Sequence, residues 1–190
     1  MSRGVSEKTK KLTLSATLAA MGVVLLIIGG LIEVLDLSMA ALASFFCIFA
    51  VIEMGRGYPW MVFVVTGVLS VVLMPQGLGG WLYLIFFGYY PILKEKIEKL
   101  YMPLAWFMKL VIFNLAVTLY AVMCYFMFFG QLEALFSEVT SLLSGIESGA
   151  IIIAAIYLVL NIVFVVYDVA LTNLITLYLV KLRKKFRFLK

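Results

Sequence analysis

The chain has 190 residues, 65% of them hydrophobic, with a formal net charge of +5 at pH 7 and a mean hydropathy of +1.16. Soluble domains are only about half apolar, so a water-soluble core is excluded and a single membrane domain is the natural size. The 15 Lys and Arg flank apolar runs, which makes them signals of membrane topology and excludes a nucleic-acid surface.

Histidine is absent, which removes imidazole metal sites and His-based proton relays. Cys47 and Cys124 sit in apolar runs without C-x-x-C spacing and read as small buried hydrophobes. No metal centre and no cofactor is expected. The first apolar segment is too long for a cleavable signal peptide, and no small-x-small cleavage site precedes a polar mature region.

Residues 1–11 are polar and basic, with Arg3, Lys8, Lys10 and Lys11 against Glu7. Such a segment suits the inner membrane surface, where anionic lipid attracts it. The first span is predicted over Leu12–Leu35. Ser15 and Ala19, and Ala16 and Ala20, lie four apart on it, and small residues at that spacing admit another helix closely. Gly29-Gly30 is expected to loosen its outer end, before an acidic outer turn holding Glu33 and Asp36.

Leu37–Ile52 is the second span, followed by the inner turn Glu53-Met54-Gly55-Arg56-Gly57. Tyr58–Met74 is the third, and Pro75 to Gly80 form an uncharged, Gly-rich outer loop. Trp81–Leu93 is a short fourth span with Trp81 and Tyr83 placed like interfacial aromatics. Lys94–Lys99 is a charged inner connection. Pro103 opens the fifth span, Leu104–Gly130, because proline is tolerated at a helix start.

Gln131–Gly149 carries Leu132, Leu135, Phe136, Val139, Leu142 and Leu143 at helical spacing, which suggests an amphipathic helix on the outer face. Ile151–Val180 is the sixth span, with Asp168 its one charge and a basic tail after it. Six spans place all 15 bases on the cytoplasmic side. The reading is thus an all-α integral membrane protein: six transmembrane helices over residues 12–180, both termini cytoplasmic, and an amphipathic outer connection between helices five and six. Residues 181–190 form the basic tail of this multi-pass plasma-membrane protein.

No Walker A loop, H-E-x-x-H or nucleophile elbow is present. A lone intramembrane carboxylate makes no catalytic dyad, so an enzyme is not expected. Asp168 lies roughly 15–20 Å inward from the tail at 1.5 Å per residue. Asn114 enters the fifth span to a similar depth, Lys109 is shallower with a long stem, and Asn161 and Asn173 add polar groups to the sixth span. Asp168, Asn114 and Lys109 are predicted to form an intramembrane polar clamp, since a charge facing lipid is costly; an ion-coupling or substrate role is the alternative. At the outer face, Gln76, Trp81 and Tyr83, with Tyr125 and Tyr157 from the later spans, are candidates for lining a small-molecule pocket.

The chain resembles the substrate-binding membrane subunits (S components) of energy-coupling factor vitamin transporters. The points of similarity are a small six-span chain, a short basic N-terminus, the long connection before the last span, and an A-x-x-x-A motif at Ala16 and Ala20. The resemblance implies that Ser15, Ala16, Ala19 and Ala20 dock on a transmembrane coupling subunit driven by two cytoplasmic ATPases. It also implies capture of a small vitamin-like molecule near the outer face. Two other readings are a non-transporting scaffold or assembly partner of the cell envelope, and a stand-alone transporter using Asp168.

Overall fold

In the computed structural model, residues 2–55, 57–127 and 149–182 are described. Every regular element among them is helical: α1 (Ser2–Leu31), α2 (Asp36–Met54), α3 (Tyr58–Leu73), α4 (Leu78–Leu82), α5 (Tyr90–Ile97), α6 (Met102–Met127) and α7 (Gly149–Leu177). Four stretches are long and apolar enough to cross a membrane: Glu7–Leu31, Asp36–Met54, Met102–Met127 and Ile151–Val180, with mean hydropathies of 2.1 to 2.4. Tyr58–Leu73 is a shorter apolar helix. This marks a membrane protein, because apolar helices satisfy their own backbone groups where lipid offers no hydrogen bonds. The expected amphipathic connection lies outside the described residues, apart from its last residue, Gly149, which begins α7.

The helix ends follow local chemistry. Asp36 sits in the first turn of α2, where a carboxylate meets the positive end of the helix dipole. Gly55, at φ +83°, ends that helix in a conformation that side-chain-bearing residues avoid. Pro59 lies in the first turn of α3 and Pro103 in that of α6, positions that need no backbone N–H. Gly29 and Gly30 do not loosen α1. They stay helical because their missing side chains make room for neighbours: a Cβ on Gly29 would meet Met39, and one on Gly30 would meet Met74.

The fourth predicted span is not one continuous helix. After α4, residues Tyr83–Phe87 form a π-helical turn, closed by Gly88 N–H donating to the Tyr83 carbonyl at 2.7 Å. A turn at Gly88 and Tyr89 follows, and α5 then runs through Ile97, into the expected charged connection. Pro91 explains the interruption: it offers no N–H to the Phe87 carbonyl, and its ring crowds the preceding turn. The interrupted helix covers residues 78–97, longer than the span read from the sequence.

The chain divides into two compact units, Met1–Val111 and Ile112–Lys190. In the first, α1 packs on α2 and α3 around Leu18, Ala19, Ala50, Met54 and Val62, with Leu14, Phe46, Phe49 and Tyr58 at the edge. Its interior also holds Ser44, Thr66, Ser70, Tyr83, Tyr90 and Lys94, all buried. In the second, α7 pairs with the last four turns of α6. Asn114 meets Asn161 and Thr118 meets Tyr157, so numbers rise on one helix as they fall on the other and the pair is antiparallel.

Candidate functional site

Three polar constellations stand out against the apolar helices. The first lies where α5 meets the start of α6. Lys94 and Lys109 both reach the same Glu98 oxygen, at 3.1 and 3.3 Å. The Lys94 side chain is 1% exposed and that of Lys109 6%, whereas Glu98 is 42% exposed. Lys94 and Glu98 are one helical turn apart, so α5 supplies that contact by itself. Lys109 arrives from the second turn of α6 and also stands 5.2 Å from the Trp106 ring centroid, within cation–π range. One carboxylate thus gathers two ammonium groups whose long stems are buried.

The second constellation ties α6 to α7. Asn114 and Asn161 exchange two amide hydrogen bonds of 3.0 Å each, and Asn161 also donates to the Tyr157 carbonyl at 2.7 Å. One turn away, the Thr118 and Tyr157 hydroxyls share a hydrogen bond of 2.8 Å. On the other side, Phe113 and Phe164 stack with centroids 4.4 Å apart and planes 11° from parallel. Asp168 lies two turns beyond Asn161 along α7 and is 2% exposed; its backbone carbonyl accepts from Thr172.

The third constellation lies where α4 begins. Asp36, also buried, sits so near α4 that a Cβ on Gly79 would come within 2.7 Å of its carboxylate oxygen. The missing side chain lets the acid approach the first turn of that helix.

The residues named from the sequence fall into these groups unevenly. Asn114 is brought to Asn161 and Lys109 to Glu98. Of the proposed pocket residues, Gln76 is exposed, and Trp81 donates its indole N–H to the Pro75 carbonyl at 3.0 Å. Tyr83 is fully buried, with its ring 6.2 Å from Phe63. Tyr125 and Tyr157 belong to the second unit; Tyr125 is exposed beside Phe126, and Tyr157 is held by Thr118.

The small-residue face of α1 splits. Ser15 is buried and donates to the Lys11 carbonyl at 2.8 Å and to the Met54 sulfur at 3.3 Å. Ala19 is buried, and its carbonyl accepts from Thr66. Ala16 and Ala20 are exposed. Small size thus serves internal packing at Ser15 and Ala19, and leaves Ala16 and Ala20 on an open face.

The Glu98 cluster was not singled out from the sequence, although its signal was present: Lys94 and Glu98 stand at the i, i+4 spacing that pairs side chains on a helix. The part that spacing does not give is Lys109, eleven residues on and across a chain turn. Among the described residues, no three His, Cys, Asp or Glu come together in a way that would hold a metal ion.

A groove of about 410 Å³ lies between α1 and the start of α3, lined by Lys8, Thr9, Leu12, Gly57, Tyr58 and Met61. Another of about 350 Å³ runs along α7 past Leu158, Asn161, Ile162, Val165 and Val166. No family model matches the chain, and no characterised protein or solved structure matches it.

Proposed function

We propose that the chain is a six-span plasma-membrane protein with both termini cytoplasmic that serves as the capture subunit of a small-molecule transporter. In this reading it has no enzymatic activity of its own and takes its energy from partner ATPases through a transmembrane coupling subunit. The observation that supports it most is the set of polar groups on α6 and α7: Asn114, Thr118, Tyr157, Asn161 and buried Asp168. Polar and ionisable groups on membrane helices are expensive and mark pathways and binding positions. The exposed Ala16 and Ala20 on α1 would form the docking face, now without Ser15 and Ala19, which the fold itself uses.

The test is mass spectrometry of small molecules that copurify with gently solubilised protein, joined to thermal stability with each candidate added back. A ligand that binds only the folded state raises the unfolding temperature. Recovery of one compound that stabilises the protein supports capture. Absence of any copurifying or stabilising compound removes it. Replacing Ala16 and Ala20 by Leu then tests docking: the variant should stay folded, keep its ligand and lose uptake.

The reciprocal Asn114–Asn161 pair favours a second reading, a non-transporting scaffold of the cell envelope. Those two amides satisfy each other within the chain, as a structural clamp would. A scaffold gives no ligand in the same experiment and loses its assembly when α6 and α7 are separated.

A further inference from the structure

The groove between α1 and α3 changes character along its length. Lys8 and Thr9 line one end; Leu12, one turn further along α1, and Met61 line the other. Leu12 is 50% exposed and Met61 46%, so an apolar surface is open beside a cationic one.

Two features put this change at the edge of the hydrocarbon layer. The bases of α1 end at Lys11, where its uncharged, largely apolar run begins. Tyr58 and the partly exposed Trp60 stand at the start of α3, and such aromatics favour the headgroup level. Charge runs one way here. Glu7, the single acid between residues 1 and 32, is held by Lys11 at 3.0 Å, and Arg3, Lys8 and Lys10 make up the surplus.

Gly57 supplies the remaining room. A Cβ added there meets nothing within 4 Å, and its φ of −93° suits any residue. The open space at that position is therefore not required by backbone conformation or by packing.

We propose that this groove holds one anionic phospholipid of the bilayer, with the phosphate beside Lys8 and Thr9 and an acyl chain along Leu12 and Met61. A lipid fits where a soluble anion does not, because most of the lining is apolar and only the Lys8 end is charged. The inference does not depend on the transport reading.

The full-length protein in detergent is titrated with phosphatidylglycerol and, in parallel, with phosphatidylcholine, and retained lipid is counted by native mass spectrometry. Phosphatidylglycerol is expected to be retained preferentially. Lys8→Glu, at an exposed position, should weaken its retention about five-fold or more, the effect of at least one basic residue near an anionic surface. Lys8→Arg should restore it. Gly57→Leu, whose Cβ has open space and whose side chain extends into the groove, should abolish the preferential site while thermal stability stays unchanged. Equal retention of the two lipids overturns the proposal. So does phosphatidylglycerol retention that survives both Lys8→Glu and Gly57→Leu, or that inorganic phosphate alone displaces.

Discussion

The two units of this protein hold their helices together by different means. In the first, helices approach closely: glycines and small residues stand where they touch, and 39% of the apolar window of α1, and of α2, is buried. Of the two long helices that meet in the second, α6 buries only 11% of its apolar window and α7 17%, and the contacts between them include a stacked aromatic pair and hydrogen-bonded polar pairs. Lipid tails are as apolar as leucine, so hydrophobic burial does not drive either association. Close van der Waals packing serves in one unit and directed polar contacts in the other. The comparison therefore predicts opposite sensitivities: the first unit should fail on added volume, the second on lost hydrogen bonds.

Gly88→Ala should have the largest effect. Its Cβ would run into the Phe63 ring and come within 2.7 Å of the Tyr83 ring, both held inside the first unit. Neither aromatic is the free end of a flexible chain, so the helix must shift at its π-helical turn. The expected loss is about 3 kcal/mol, at the upper end for overpacking, read as unfolding free energy in mixed micelles. Gly79→Ala, against the Asp36 carboxylate, should cost about 2 kcal/mol by the same mechanism. An Ala tolerated at both positions would show that the first unit is not held by close approach.

Much of this architecture can be read from the residues, and its exceptions have identifiable causes. The apolar runs around α1, α2, α3, α6 and α7 locate those helices because a span must satisfy its own backbone and exclude charge. The break at Gly88 and Tyr89 was readable from Pro91, but the run from Trp81 to Leu93 is uncharged and largely apolar and masks it. Gly29-Gly30 looks like a flexible pair in one dimension and becomes a contact surface only when Met39 and Met74 arrive.

The polar groups divide in the same way. Lys94–Glu98 follows from helical spacing, whereas Lys109 joining Glu98 depends on how the chain turns between α5 and α6. Asn114 is legible as a mid-span amide. That it meets Asn161 depends on the register of α6 against α7, which no local pattern encodes.

The middle-sized effect belongs to that register. Replacing both Asn114 and Asn161 by Leu, singly and together, forms a double-mutant cycle. Each single change should cost about 1–2 kcal/mol, because the amide left behind loses its partner on an apolar helix. The double variant should cost less than the two single changes added together, with a coupling of about 1 kcal/mol. The first unit offers the control: Ser70, whose hydroxyl bonds only one turn back to the Gly67 carbonyl, should show no such coupling across helices. Additive losses at Asn114 and Asn161 would end the distinction between the units.

Tyr157→Phe should have the smallest effect and sharpen the comparison most. The substitution keeps the ring and removes only the hydroxyl that meets Thr118 at 2.8 Å. Thr118 retains a bond to the Asn114 carbonyl, also 2.8 Å, so its own hydroxyl is not stranded. The loss should be about 0.5 kcal/mol, close to the average for interhelical hydrogen bonds in membranes. Thr118→Val removes both bonds of that hydroxyl; the Asn114 carbonyl keeps its own helical partner, but the Tyr157 hydroxyl loses Thr118, so a larger loss of about 1 kcal/mol is expected. Together the variants separate two accounts of the second unit. If its helices are joined at the amide pair alone, both changes are silent. If the polar contacts act as a continuous strip from Asn161 to Thr118, either change should also weaken the Asn114–Asn161 coupling, a shift visible when the double-mutant cycle is repeated in the Tyr157→Phe background.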